Sequence, residues 1–389
     1  MNILVLNGGS SSVKASLFDL SSDGDAVDAA SPAWKARAEF PHVPGDARLY
    51  VQGQERTVRV QSAGDSLAPL LDSLDRSAID AVGHRIVHGG KAFRESTRIG
   101  PEVKQTIASL ANLAPEHNRL EVEGIEAMER LLPSVPQVAV FDTAFHAHLT
   151  PTAYTYPGPY DWLDQGIRRY GFHGISHQYV SGRAGRLLGG MPGRMITCHL
   201  GNGCSLAAIR DGRSIDTTMG FTPLAGLMMG TRSGSIDPGI VIHLVRHCGS
   251  SAEDLDRILN KQSGLFGISG ISGDMREVMA AMEQGNARAR LAYEIYAHRL
   301  GAEIGSLLPG LGGLDALVFT AGIGENCPPL RQRVADALAF LGMQIDPARN
   351  QSPDGDREIS TPGSSVRVLV VHTQEEWEIA RECRRIVKS

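Results

Sequence analysis

Three segments of small polar residues stand in positions suited to phosphate chemistry. They are Asn7-Gly8-Gly9-Ser10-Ser11-Ser12, His199-Leu200-Gly201-Asn202-Gly203 and Thr320-Ala321-Gly322-Ile323-Gly324-Glu325-Asn326. Backbone N–H groups in such loops are uncovered and can wrap a phosphate. Each loop alone reads better as a tight turn; three in one chain point to a polyphosphate ligand. No GxxxxGK[ST] motif occurs, and GxGxxG fails because Leu206 and Cys327 replace the third glycine. Walker and ordinary dinucleotide sites are therefore disfavoured.

Charged and titratable residues lie beside these loops. Lys14 follows Ser12 by two residues, which puts both on one face of a strand. Its ammonium there either reaches a phosphate oxygen or stands in solvent. Arg85, in Gly83-His84-Arg85-Ile86-Val87-His88-Gly89-Gly90, can grip a carboxylate or phosphate with both arms. His84 and His88 lie four apart, but on a Val/Ile-rich segment that reads as strand, so a helical metal pair is not expected. Arg232, in Thr231-Arg232-Ser233-Gly234, offers a second guanidinium; taken alone it is a solvated turn. Asp142 directly follows an apolar run, where α/β proteins place metal or acid/base carboxylates; an Asx-turn or helix cap is the local alternative. Tyr170-Gly171-Phe172-His173-Gly174-Ile175-Ser176-His177 offers His173 as a donor to a phosphoryl oxygen. A zinc pair with His177 is the other reading, with no third ligand evident. Thr373-Gln374-Glu375-Glu376 fits a capping box, with Thr373 as N-cap and Glu375 as a first-turn acid.

The elements that hold these residues follow from periodicity. Short apolar runs at 2–6, 138–141, 195–198 and 317–319 end in turn residues and read as buried strands. Helical spacing occurs at 101–113, 120–132, 287–308 and 330–341, and a final helix at 375–387 follows a strand at 366–371. The mixture is α/β. Strand, Gly/Asn/Ser loop, strand and turn occur twice, at 2–18 and again about 190 residues later, as two related domains would require. A boundary is expected near 143–151. Segment 21–64 is Asp/Ala-rich and reads as an irregular surface elaboration.

The bulk properties narrow the function classes. With 389 residues, 42% apolar, the chain can bury two ordinary cores. The net charge of −5 and the lack of a basic run argue against nucleic acid as a partner. No apolar stretch approaches a membrane span, and no signal-peptide pattern opens the chain. Five scattered cysteines, without metal spacing, suit a reducing compartment. A cytoplasmic location is expected.

Together these segments resemble the acetate kinase family, at 7–14, 83–90, 140–146, 170–177, 199–205, 229–238, 274–276, 320–326 and 373–380, in the family's order. The resemblance implies two ribonuclease H-like domains of the actin/sugar-kinase type with an active-site cleft between them. Domain I would be 1–143 completed by 375–389, and domain II, at 144–374, would bind the nucleotide. It implies a kinase that moves a phosphoryl group between ATP or ADP and acetate, reversibly, with Mg²⁺ (Mn²⁺ as an alternative), as a homodimer.

The resemblance also assigns roles. Asn7 and Glu375 lie near the metal. Ser10, Ser12 and Lys14 face phosphates. His199, Leu200, Gly201, Asn202 and Gly203 hold ATP with Gly322, Ile323, Gly324, Glu325 and Asn326, and Asp274, Met275 and Arg276 lie by the adenosine. Arg85 and Arg232 flank the carboxylate and the moving phosphoryl group, His173 and Asn202 stabilise it, and Asp142 is the assigned acid/base or an orienting group. Val87, Phe172 and Pro223 match the family's small acyl pocket.

Departures bear on the acid. Glu116 stands where the family has leucine, and Arg119 where it has proline; Ser235 replaces a frequent aspartate. A buried, unpaired Glu116 would cost several kcal/mol. Either a cation such as Arg119 pairs with it, or it faces solvent, or the pocket takes another acid. Propionate or butyrate kinase is the close alternative. A nucleotide-switched binding protein of the actin/chaperone kind is the distant one.

Overall fold

Runs of apolar residues bounded by Gly, Asn and Ser become the central strands of two sheets. The computed structural model describes residues 1–9, 12–20, 31–40, 43–110 and 115–389, the side chains of 115–117 and 119 excepted. Ser10 thus lies outside the described residues, as do the side chains of Glu116 and Arg119. The chain divides into two compact units: Met1–Ala147 with Gly174–Tyr179 and Gln374–Ser389, and His148–His173 with Val180–Thr373.

In the first unit, β1 (Asn2–Gly9) pairs antiparallel with β2 (Ser12–Asp19), placing Asn7 opposite Lys14. Next come β3 (Trp34–Glu39), β4 (Gly45–Val51), β5 (Gln54–Val60), β6 (Ala81–Ile86), β7 (Thr97–Arg98) and β8 (Gln137–Phe141). The sheet order is β5-β4-β3-β2-β1-β6-β8-β7, with β6 parallel to β1 and β8 parallel to β6. Segment 21–64 is therefore no irregular elaboration where it is described. Three antiparallel strands there extend the sheet and bury Trp34, Ala36, Ala38 and Leu49 in the same core as Leu4, Leu6 and Met128. The alternation Trp-Lys-Ala-Arg-Ala-Glu along β3 carries that burial on one face only.

Helix Pro115–Leu131 packs against β1 and β6, and helix Glu375–Lys388 against β6, β1 and β8. Gly83 is required for the second contact: a Cβ there would lie 2.9 Å from Ile379 Cγ2. The C-terminal helix begins at Glu375, and its N-cap is Gln374, with no side-chain cap bond. The expected Thr373 capping box is thus not formed. Thr373 instead donates its N–H to Glu325 Oε1, and Glu376 accepts from Ser16 Oγ at 2.8 Å.

In the second unit, β9 (Arg194–Leu200) pairs antiparallel with β10 (Cys204–Arg210), and β10 with β11 (Arg213–Thr217). After them come β12 (Ala316–Thr320), β13 (Arg357–Glu358) and β14 (Arg367–Val370), in the order β11-β10-β9-β12-β14-β13. Strand β12 runs parallel to both β9 and β14. The run β3-β2-β1-β6-β8 of the first sheet and β11-β10-β9-β12-β14 of the second share one order and one pattern of directions. The hairpin echo in the sequence is the first half of that shared pattern. Among the described residues, no helix is long and apolar enough to cross a membrane.

Candidate active site

The first unit gathers its functional groups at the C-terminal ends of parallel strands. Arg85 stands on β6 opposite Val140. Asp142 continues the ladder past Phe141 by donating its N–H to Ile86 O at 2.9 Å. Arg85 Nη2 donates to Asp142 Oδ2 at 2.6 Å, and Nη1 to Asn7 Oδ1 at 3.3 Å. Asp142 is buried, 1% exposed, so its charge is matched by the arginine and not by water. Burial opposes the arginine's charge, but Asp142, then Glu375, outweigh it and hold Arg85 above the usual guanidinium range. Asp142 O in turn accepts the Gly174 N–H at 2.8 Å, and a Cβ on Gly174 would lie 2.2 Å from that oxygen. Only glycine permits that approach.

Around this core, Lys14 is exposed opposite Asn7, and Ser12 lies opposite Gly9. Val87 is buried, and Glu375 is half-buried in the first turn of its helix. His177 has its ring 5.7 Å from that of His146. Among the described residues, no cluster of three His, Cys, Asp or Glu side chains could hold a metal.

The second unit gathers two groups of residues. In the first, His173 adopts a left-handed φ of 56° and stacks on His199 with ring centroids 4.2 Å apart. Its Nδ1 meets Ser205 Oγ at 2.9 Å, which fixes the ring's orientation. Arg232 Nη1 donates to Pro223 O at 3.3 Å. Gly203 lies between these two side chains: a Cβ there would be 3.3 Å from Arg232 Nη1 and 3.4 Å from the His173 ring. Phe172 is buried and Pro223 half-buried. Ser235 Oγ accepts the Gly226 N–H at 2.8 Å, a loop tie that needs no carboxylate.

The second group lines a cavity of about 640 Å³: Gly201, Asn202, Asp274, Met275, Arg276, Gly322, Ile323 and Asn326. That volume fits a nucleotide-sized ligand. Gly273, Met279 and Cys327, which the motifs did not single out, line it too. Asp274 caps helix Met275–Glu283, accepting the Arg276 N–H at 2.8 Å, and pairs with the Arg276 guanidinium. His199, Leu200, Gly203, Gly324 and Glu325 are not among the lining residues; Leu200 is fully buried at the end of β9.

The segment after β12 is a short helix, Ala321–Asn326, where the sequence suggested a loop. Ala321 takes a φ of +64°, a conformation that costs a non-glycine residue of order 1–3 kcal/mol. Glu325 holds that turn: its Oε1 accepts the Ala321 N–H at 2.7 Å and the Thr373 N–H at 3.1 Å, and its Oε2 meets His372 Nδ1. Sequence reasoning also missed Arg331. Fully buried, it donates from Nη1 to Gly324 O and Glu325 O, both at 2.8 Å, and from Nη2 to Asn350 O at 2.7 Å. Burial lowers its pKa to about 10. The available signal was an arginine between the core residues Leu330 and Val334.

A sequence profile of the Acetokinase family matches residues 2–381. The acetate kinase of Gloeobacter violaceus is 55% identical, with 98% of each chain covered. The crystal structure of Porphyromonas gingivalis acetate kinase is similar with a TM-score of 0.90 at 39% identity, with 99% of each chain covered. A propionate kinase from Francisella tularensis subsp. tularensis SCHU S4 gives the same TM-score of 0.90, identity of 39% and coverage of 99% of each chain. The chain belongs to the acetokinase family, phosphotransferases whose acceptor is a carboxyl group.

Proposed function

We propose that this enzyme transfers the γ-phosphoryl group of ATP to acetate, giving acetyl phosphate and ADP, and catalyses the reverse reaction with the same groups. The observation that carries the reading is the Arg85 cluster, a guanidinium aligned by Asp142 and Asn7, in a chain 55% identical to an acetate kinase. Attack by an acetate oxygen forms the new P–O bond as the bond to ADP breaks, with no covalent enzyme intermediate. An acetate anion approaching a phosphoryl group is repelled by it, so cations and alignment matter most. We assign Arg85, Arg232 and His173 to that positive set, Asn202 to the moving phosphoryl group, and Ser12 and Lys14, with Ser10 by the resemblance, to the phosphates. The acceptor carboxylate is already ionised near neutral pH. Asp142 therefore needs to abstract no proton, and its bond to Arg85 suits an orienting role.

The nucleotide is assigned to the cavity at Gly201, Asn202, Asp274–Arg276, Gly322, Ile323 and Asn326, with His199, Leu200, Gly203, Gly324 and Glu325, which do not line it, supporting the lining segments from β9, the turn that follows it and the helix after β12. Val87, Phe172 and Pro223 are assigned to the acyl group. Asn7 and Glu375 offer one amide and one carboxylate oxygen near Arg85, hard donors of the kind Mg²⁺ takes when the nucleotide supplies the rest. Those two residues would hold the ion, which when bound offsets phosphate charge. The exposed Ile240, Ile242 and Val245 on helix Pro238–Cys248 support a homodimer. Five free cysteines support a cytoplasmic location. The division into two compact units supports a two-domain reading, although residues 144–147, 174–179 and 374, expected in domain II, fall in the first unit.

A propionate preference is the second reading, because the propionate kinase structure matches as well as the acetate kinase one. Trapping the acyl phosphate with hydroxylamine, over acetate, propionate and butyrate, tests both. The highest kcat/KM is expected for acetate; a clear preference for propionate replaces it, and no hydroxamate from any acid removes both.

A further inference from the structure

Glu121 is a buried carboxyl, 6% exposed, on helix Pro115–Leu131, and no role above uses it. Its Oε1 accepts the Val87 N–H at 2.9 Å. Val87 stands two residues beyond Arg85, just past the end of β6. Oε2 has no protein hydrogen-bond partner among the described residues. A cavity of about 20 Å³, room for one water, is lined by Glu121 together with His84, Arg85 and Leu120.

We propose that Glu121 is a positioning residue for the carboxylate-binding end of the site. By holding the Val87 backbone against helix Pro115–Leu131, it fixes the spacing between the Arg85 head and the Val87 side chain assigned to the acyl group. The proposal rests on the functional reading above and extends it. A buried N–H deprived of its acceptor is costly, so the strand end would shift if the carboxyl were removed. A side chain that only filled space would show no selectivity between substrates.

The carboxyl is best suited to this role without charge. Burial pushes its pKa up to about 8, against the pull of the Val87 N–H and Arg85, while Asp142 reinforces the rise. An ionised Glu121 would compete with substrate for the field of Arg85. Three other titratable groups near the helix are engaged elsewhere. His84 meets Gln137 Oε1, Asp65 caps the turn at Ser62, and Lys104 meets Glu126 and Glu129.

The test compares Glu121→Ala and Glu121→Gln in the full-length enzyme, with thermal unfolding as a control. Glu121→Ala is expected to raise the KM for acetate about tenfold or more, leaving the KM for ATP unchanged. Glu121→Gln, which keeps an acceptor for Val87, is expected to recover most of that loss. It should also abolish a rise in the acetate KM that the wild type shows above about pH 8. Should Glu121→Ala not fold, the pH profile of Glu121→Gln decides alone. An unchanged acetate KM in Glu121→Ala, an equal rise in both KM values, or identical pH profiles for wild type and Glu121→Gln would each overturn the proposal. A wild type inactive on every acid overturns the functional reading too; an active wild type with unresponsive variants overturns this inference alone.

Discussion

Arg85 and Asp142 come from neighbouring parallel strands and meet at 2.6 Å, Nη2 to Oδ2, with the carboxylate almost wholly out of water. Their separation of 57 residues in sequence is closed by the parallel pairing of β6 with β8. One substitution should therefore change both turnover and stability. Arg85→Ala is expected to lower kcat about 10²–10³-fold. It also leaves Asp142 buried without its partner, at a cost of about 3–5 kcal/mol. Steady-state kinetics and urea unfolding on the same preparation check both. A large loss of kcat with wild-type stability would mean that the ion pair does not hold this region.

Asp142→Asn separates orienting from proton transfer. The amide keeps the shape and an oxygen for Arg85. A loss of about 10–100-fold with an unchanged pH–rate profile is expected if the residue orients. Disappearance of an acidic limb, with near-complete loss of turnover, would make it a proton acceptor instead.

The nucleotide cavity predicts a selective defect. Ile323→Trp places a large ring among Gly201, Asn202 and Met279, which line the same space. The KM for ATP should rise about tenfold with that for acetate unchanged. An effect confined to acetate would move the nucleotide elsewhere.

Arg331 ties the last turn of helix Ala321–Asn326 to Asn350 through bonds of 2.7–2.8 Å. Arg331→Met should cost about 3 kcal/mol or more, since it strands buried carbonyls. Arg331→Lys should recover little, because an ammonium cannot reproduce the planar fork. Differential scanning calorimetry on both variants reads this directly; full recovery by lysine would reduce the role to charge.

Two buried groups in the first unit set opposite pH limbs. His84 is lowered to about 4 by burial, with Gln137 pulling the other way. Its contribution to stability is full above its ordinary value of 6.5 and is lost as pH falls through about 4. Glu121 is raised, so its contribution is full below its ordinary value of 4.5 and is lost as pH rises through about 8. Urea midpoints should fall on both sides of a broad optimum, and Glu121→Gln should flatten the alkaline side only. A wild-type midpoint that stays level from pH 5 to about 8 contradicts the assignment of Glu121.

The central strands were legible because each is an apolar run closed by small residues, as at Ile3–Leu6 and Met195–Cys198. The repeated hairpin was visible for the same reason, and it marks the shared strand order of the two sheets. Strands β3 to β5 were not legible, since β3 and β4 interleave buried apolar residues with exposed polar ones, and β5 opens on four exposed polar residues, all inside an Asp/Ala-rich segment. Gly201, Asn202, Gly322, Ile323 and Asn326 could be named from Gly-rich motifs, whose composition reports close approach by a ligand, whereas Asp274, Met275 and Arg276 came only with the family resemblance. Glu121 and Arg331 could not, because a buried charge on a helix has the same one-letter signature as a solvated one. The Glu325 turn was missed in kind: a Gly-containing run that reads as a loop is helical, held by a carboxylate to backbone N–H groups that only folding brings near.

The most direct measurement is a ³¹P NMR time course of the enzyme with ATP, Mg²⁺ and acetate. ADP and acetyl phosphate should appear together in equal amounts, with neither formed when acetate is left out. Slow release of ADP and inorganic phosphate, at a rate indifferent to acetate, would contradict phosphoryl transfer to a carboxylate and leave an ATP-hydrolysing binding protein in its place.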